Sequence, residues 1–344
     1  MCRTVQIFCK YFDLELSDHE ILCVIISNRW FTGSLDILSL SRASWQGKIN
    51  SLETLELCYA GVRDHHLARL TYLPSLKELN LDSCSCGDWS IVHLADNNVV
   101  PNLTSLDLAD TKLTDAGMAH LPKFEKLAKL SLFYCNISNE GLRHLSSMAS
   151  LEVLNLDSLD IGDEGLLHLQ KLTRLRSLDL FSGRVTDVGC MYLSRIKSLE
   201  SLELCGGGIS DRGCAHLASL ENLATLNLSQ NERITNRGAA ALAALNKLKC
   251  LNLSNTRVNS GALRFLGSLI QLKSLAMYGC HGIDDNDSID MLRNGLPSLK
   301  CLRLNNGTED DMFWDDVNDE EGGEGIDSVM YEDTNSEHDG NESV

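Results

Sequence analysis

The chain has 344 residues, with 30 Lys+Arg against 48 Asp+Glu and a formal charge of −18. A hydrophobic content of 43% supplies a sizeable core and excludes disorder of the whole chain. The acidic balance argues against nucleic acid as the main partner, because a polyanion does not bind a polyanion without a local basic patch.

The charge is unevenly spread. Thr308–Val344 holds 15 Asp/Glu and no Lys or Arg, which leaves 33 acidic and 30 basic residues, a net of −3, over 1–307. We therefore expect a nearly neutral body, bounded near Asn306, and an acidic tail. Thirteen cysteines are an odd number scattered over a long chain. They do not form a compact disulfide framework and suit a reducing compartment, cytosol or nucleus.

In chain order, the start Met1-Cys2-Arg3-Thr4 lacks the apolar run of a secretory leader. The longest early apolar run, Ile21–Ile26, is six residues, far short of the ~20 that span a bilayer. No membrane contact is expected. Residues 1–33 are expected to cap the first repeat of the unit that follows, and Leu35-x-x-Leu38-x-Leu40 reads as one further, shortened repeat. A second reading stays open beside the cap. Leu16-Ser-Asp-His-Glu-Ile21-Leu22, with Leu35-Asp-Ile37-Leu38, Arg42 and Trp45, resembles an F-box, although Ser17 stands where that module has Pro. The resemblance implies docking on a ubiquitin-ligase adaptor.

From Leu52 the pattern Leu-x-x-Leu-x-Leu starts again at residues 76, 103, 127, 151, 175, 199, 223, 248, 272 and 299. Across these eleven starts the three positions are Leu in 32 of 33 cases, with Met277 the exception. The period of two in Leu-x-Leu predicts a strand. An apolar residue follows, then Thr114-Asp115, Ser138-Asn139, Thr186-Asp187, Ser210-Asp211 and Thr235-Asn236, which read as helix N-caps. A Gly comes next (117, 141, 165, 189, 213, 238, 261), placed for close packing at the helix entry. A core Leu (121, 145, 169, 193, 217) closes the helix. One strand and one helix cannot bury themselves, but stacked copies can.

This pattern resembles the leucine-rich repeat. The Ile/Val-Thr-Asp-x-Gly form is similar to the ribonuclease-inhibitor-like and cysteine-containing 24-residue repeats of F-box proteins. Leu178-Asp179-Leu180-Phe181, Cys205-Gly206-Gly207-Gly208 and Leu226-Asn227-Leu228-Ser229-Gln230-Asn231 are similar to a plant and algal branch. The resemblance implies an α/β fold: a right-handed solenoid of about 10–11 repeats over 34–306, with a parallel β-sheet on the concave face and short helices on the convex face. The sequons at Asn102, Asn136, Asn227 and Asn252 are by-products of the repeat.

Residues between the leucines point away from the core and line the concave surface. In the first ten repeats, thirty such positions hold seven acidic residues and one basic. The candidate protein-binding residues are Glu56, Asp82, Asp107, Phe133, Tyr134, Asp157, Asp179, Phe181, Glu203 and Tyr278. The carboxylates favour a protein partner with exposed Lys/Arg, and the aromatics offer an apolar anchor. The implied function is a non-enzymatic protein–protein interaction scaffold; the alternative is the substrate-recognition subunit of an SCF-type ubiquitin ligase.

Catalysis finds no carrier. His93, His120, His144, His168 and His216 share one repeat position, but one His per repeat is poor spacing for a zinc shell. Gly206-Gly207-Gly208 lacks the Lys-Ser/Thr of a phosphate loop. No catalytic residue, cofactor or metal is expected. The tail, 307–344, reads as a solvated, disordered segment with two apolar islands, Met312-Phe313-Trp314 and Val329-Met330-Tyr331. Trp314-x-x-Val317, with acidic flanks, resembles the short motif by which autophagy receptors add a strand to a ubiquitin-like protein.

Overall fold

The computed structural model describes the backbone of Thr4–Gln6 and Ile25–Ile26, and residues 52–304 in full. The expectations for the remainder of 1–33, for Leu35–Trp45 and for 307–344, including Trp314 and Val317, fall outside the described residues.

Each of the eleven repeats that start at Leu52 forms a strand at its centre. β1 (Thr4–Gln6) and β2 (Ile25–Ile26) are followed by eleven repeat strands: β3 (Thr54–Glu56), β4 (Glu78–Asn80), β5 (Ser105–Asp107), β6 (Lys129–Ser131), β7 (Val153–Asn155), β8 (Ser177–Asp179), β9 (Ser201–Glu203), β10 (Thr225–Asn227), β11 (Cys250–Asn252), β12 (Ser274–Ala276) and β13 (Cys301–Arg303). They lie side by side in sequence order as one open sheet, with β13 at one end. The repeat strands are parallel and in register, so that Leu154 sits opposite Leu130 and Leu178. At the other end β1 pairs parallel with β3 and antiparallel with β2. The strand described beside the first repeat is Thr4–Gln6.

Between strands run short helices, among them Asp88–Asp96, Asp163–Leu169, Asp187–Leu193, Asp211–Leu217 and Asn236–Leu242. Strands stack about 4.8 Å apart, whereas packed helices need about 8–10 Å. The stack therefore bends with its sheet on the concave side. The leucines meet between the two layers: Leu130, Leu154, Leu178, Leu202 and Leu226 are 0–1% exposed.

Two polar ladders hold successive repeats together. The first joins helix starts. Thr114, Ser138, Thr186, Ser210 and Thr235 cap their helices, each side-chain oxygen accepting an N–H two residues on. The acidic or amide residue that follows serves the next repeat. Asp187 accepts from the Ser210 N–H (2.8 Å), the Ser210 hydroxyl (2.7 Å) and the Gly213 N–H (2.9 Å). Asp163 does the same for Thr186 and Gly189, and Asp211 for Thr235 and Gly238. Asp64, Asp88, Asp115, Asn139 and Asn236 make the corresponding link to Gly87, Thr114, Ser138, Gly162 and Asn259. The link explains the glycine: a Cβ on Gly141 would stand 2.2 Å from Asp115 Oδ1, and one on Gly189 2.5 Å from Asp163 Oδ1.

The second ladder lies just after the strands. Cys84, Cys135 and Cys280 donate their thiols to the carbonyls of Leu57, Leu108 and Leu253 in the preceding repeat (3.0–3.1 Å). Asn231, at the same repeat position, donates to Leu204 O (2.8 Å). The turn that aims these side chains inward puts one residue per repeat in the left-handed region, including Tyr59, Ser83, Tyr134, Ser158 and Ser182 (φ 54–60°).

Leu154→Ala, in the centre of the stack, is expected to cost about 2–5 kcal/mol in urea unfolding; a loss well under 1 kcal/mol would contradict the register. Asp187→Ala strips three donors of their acceptor at a helix start. It should cost about 1–3 kcal/mol, with local hydrogen exchange rising first at Ser210 and Gly213.

Candidate protein-binding face

Each three-residue strand turns its central Leu inward and its flanking residues outward, so the open face of the sheet carries columns of like-placed side chains. The column that ends each strand reads Glu56, Asn80, Asp107, Ser131, Asn155, Asp179, Glu203, Asn227, Asn252, Ala276 and Arg303. Most of its Asx side chains already have a structural task. Asn80, Asp107, Asn155, Asp179, Asn227 and Asn252 each accept the backbone N–H two residues on (2.8–3.0 Å), closing a turn that ends the strand. Asp107 and Asp179 are thus held by the fold itself.

The next column reads Cys58, Asp82, Ala109, Phe133, Asp157, Phe181, Cys205, Ser229, Ser254 and Tyr278. Here three consecutive repeats present Phe133, Asp157 and Phe181. Phe181 is 39% exposed and Tyr134, beside Phe133, is 64% exposed. The Phe133 and Tyr134 rings lie 6.0 Å apart, tilted by 36°. Phe133 itself is half-buried, so the exposed rings of this patch are Tyr134 and Phe181.

Burial also changes the charge of this face. Glu203 stands opposite Asp179 on the adjacent strand. Its Oε1 is buried with no hydrogen-bond partner among the described residues. Burial first, then the nearby Asp179 and Asp157, push its carboxyl up to about 9. That shift favours the protonated form at neutral pH, making the central column less negative than its composition suggests. Asp179 rises to about 6 through burial, opposed by the Phe181 N–H and reinforced by Asp157. Burial likewise raises Asp82, Asp107 and Asp157. Hydroxyls of Ser83 and Ser158 donate to Asp82 and Asp157 at 2.9 Å.

The structure brings Phe133, Tyr134, Asp157, Asp179, Phe181 and Glu203 together across β6–β9. Glu56, Asp82 and Asp107 extend the face along β3–β5. Tyr278, 64% exposed, stands apart on the β12 repeat. Tyr59, 54% exposed, is an aromatic that sequence reasoning missed. It occupies the same repeat position as Tyr134, seven residues after the first Leu, and the register alone would have found it.

The described thiols are not poised as nucleophiles. The ten described cysteines are free and buried. Burial pushes Cys84 up to about 11 and Cys86 and Cys214 to about 12, so these thiols stay protonated at neutral pH. Among the described residues no group of three or more His, Cys, Asp or Glu is placed to hold a metal ion. The histidine column makes pairwise contacts instead: His93 Nε2 lies 2.8 Å from Leu70 O and His120 Nδ1 2.8 Å from Asp96 Oδ1. No described helix is long and apolar enough to cross a membrane.

The family model described as "Leucine Rich repeat" matches four segments, 101–121, 125–146, 171–194 and 219–243. No curated protein sequence matches the chain. Among solved structures, an internalin (inlF) from Listeria monocytogenes str. 4b F2365 is 22% identical, with a TM-score of 0.49 over 70% of this chain and 84% of that one. Internalin C2 of the same strain is 21% identical, with a TM-score of 0.45 over 63% and 84%. A TDR receptor is 19% identical, with a TM-score of 0.50 over 76% of this chain and 49% of the receptor. At that identity the likeness is one of fold alone.

Glu203→Gln tests the protonation of the face. The folded carboxyl titrates above its unfolded value of about 4.3. The stability it contributes is therefore present at low pH and lost as pH rises towards 9. Between pH 5 and pH 8 the native chain should lose about 2–4 kcal/mol more than the Gln variant in urea unfolding. Parallel profiles would show that Glu203 is ionised in the fold.

Proposed function

We propose that this leucine-rich-repeat solenoid is a non-enzymatic protein-binding scaffold whose concave face takes a partner bearing basic groups around an apolar anchor. The observation that carries the reading is the patch on β6–β9, where exposed Tyr134 and Phe181 stand beside half-buried Asp157. A solvated sheet gains nothing from exposed aromatic rings, whereas aromatics on a rigid surface are frequent centres of binding energy. Two strand steps separate Phe133 from Phe181, about 10 Å, a gap that admits one Lys or Arg side chain over Asp157. The reading includes a reducing setting, cytosol or nucleus, which suits a core rich in thiols.

A cap role for the N-terminal residues fits the same picture. The two elements described there, β1 and β2, extend the sheet beyond the first repeat. That favours a scaffold over the alternative, a ubiquitin-ligase substrate receptor with an adaptor-docking helical start.

Tyr134→Ala with Phe181→Ala should leave the unfolding midpoint within a few degrees of the parent, because both side chains are exposed. In cross-linking pull-downs read by mass spectrometry, the double variant should lose its specific partners at least tenfold. Asp157→Asn should weaken capture and reduce its salt dependence. An unchanged partner set would overturn the assignment of this face, and recovery of a ligase adaptor would favour the alternative.

A further inference from the structure

The turns that lead from each helix end to the next strand lie together on one side of the solenoid, at the starting ends of the strands. In seven successive turns, 119–126, 143–150, 170–174, 194–198, 218–222, 243–247 and 267–271, eight residues are basic and two acidic. The opposite side, where the helices begin, carries Asp64, Asp88, Asp115, Asp163, Asp187 and Asp211. The body is nearly neutral in sum, yet its charges are separated in space. A helix dipole favours anions at its start and cations at its end, which accounts for the sign on each side.

Three of the eight cations are ion-paired: Lys123 with Asp96 (2.6 Å), Arg143 with Glu140 (3.4 Å) and Arg174 with Glu152. Four others are held by neutral acceptors. Lys126 donates to Asn102 Oδ1 (2.6 Å), Arg195 to Gln170 Oε1 (2.6 Å), Lys197 to the carbonyl and hydroxyl oxygens of Ser219 (3.0 Å each) and Lys247 to Asn222 Oδ1 (2.8 Å). An uncharged acceptor fixes where a cation points without cancelling its charge. These four and Lys171 are all exposed. Lys171, Arg195 and Lys197 stand on the two adjacent turns that enter β8 and β9, and the bond from Arg195 to Gln170 brings its guanidinium beside Lys171.

We infer that this side of the solenoid is a second docking surface, for an acidic polypeptide segment of a partner, with Lys171, Arg195 and Lys197 at its centre and Lys126 and Lys247 towards its ends. The spacing suits such a segment. Successive repeats are about 4.8 Å apart at the sheet and about 8–10 Å apart at the helices. Alternate residues of an extended chain lie about 7 Å apart, so carboxylates at every second position meet cations on successive turns. Duplex nucleic acid carries a charge about every 1.7 Å, far denser than these cations, and the overall charge of −18 repels it. Residues 308–344 have the right chemistry, but they follow β13 at the far ends of the strands, four strand steps from β9. The concave face and this side have opposite sign. One solenoid can thereby hold a basic and an acidic partner at the same time.

Fluorescence anisotropy with the full-length chain tests this, using a labelled peptide of alternating Glu and Ser, about twelve residues long. Binding should saturate at about 25 mM salt and weaken at least tenfold at about 500 mM, where screening shortens the reach of charges to about 4 Å. The combined Lys171→Glu, Arg195→Glu and Lys197→Glu variant should weaken it at least tenfold at low salt, and its thermal unfolding midpoint reports whether it is folded. If it is not, the Lys171→Gln, Arg195→Gln and Lys197→Gln variant decides by the same loss. Absence of saturable binding would overturn the inference. So would tighter binding, lost in the same variant, of a single-stranded oligonucleotide of equal length or of phosphatidylserine vesicles, since the surface would then serve nucleic acid or lipid. Carbodiimide cross-links from Lys171 or Lys197 to residues 308–344 in the free chain would assign the surface to the chain's own end, and would also overturn it. None of these readouts involves Tyr134 or Phe181, so this inference and the proposed function fail separately.

Discussion

A carboxylate or amide at each helix start answers for the helix start of the next repeat. A short helix leaves its first N–H groups without partners, and here they are met from outside the repeat. Asp163, Asp187 and Asp211 each take three donors from the following unit. Rotating or sliding one repeat against another would break all three at once. The strands are held in register as a consequence, and the leucines of each repeat meet those of its neighbours. Columns on the open face exist only because that register does not drift.

The same economy of positions limits what the open face can do. The column ending the strands closes turns through its Asx side chains, so its acids are not simply available to a partner. Where carboxylates crowd on adjacent strands, burial and mutual repulsion raise their affinity for protons, most of all at Glu203. The proposed recognition surface is carried instead by residues two positions beyond the turn acceptor, where side chains leave the sheet. Phe133, Asp157 and Phe181 are there, with Tyr134 next to them in a left-handed backbone conformation that swings its ring outward.

The two ends of the solenoid differ in kind. At one, β1 and β2 lengthen the sheet past the first repeat. At the other, β13 ends the described sheet and Leu299, Leu302 and Leu304 are half-buried. An open stack must treat both ends, since each terminal repeat lacks the neighbour that buries its core face.

The sequence by itself determined the repeat: which leucines face the core, where each strand begins, which Ser or Thr caps a helix and where a glycine is required. Those follow from period and residue type, which are local properties. It also marked the patch around Phe133 and Phe181, because register places residues in columns. What only the tertiary structure decided is how positions in different repeats treat one another. That Asp115 fills the space over Gly141, that Phe133 is half-buried, that the Glu203 carboxyl is pushed up by burial and by Asp179, and that Thr4–Gln6 takes the place beside β3 all depend on neighbours about 24 residues or more away. Periodicity shows that two residues are equivalent; only packing shows which of them touches the next repeat and which is left to water.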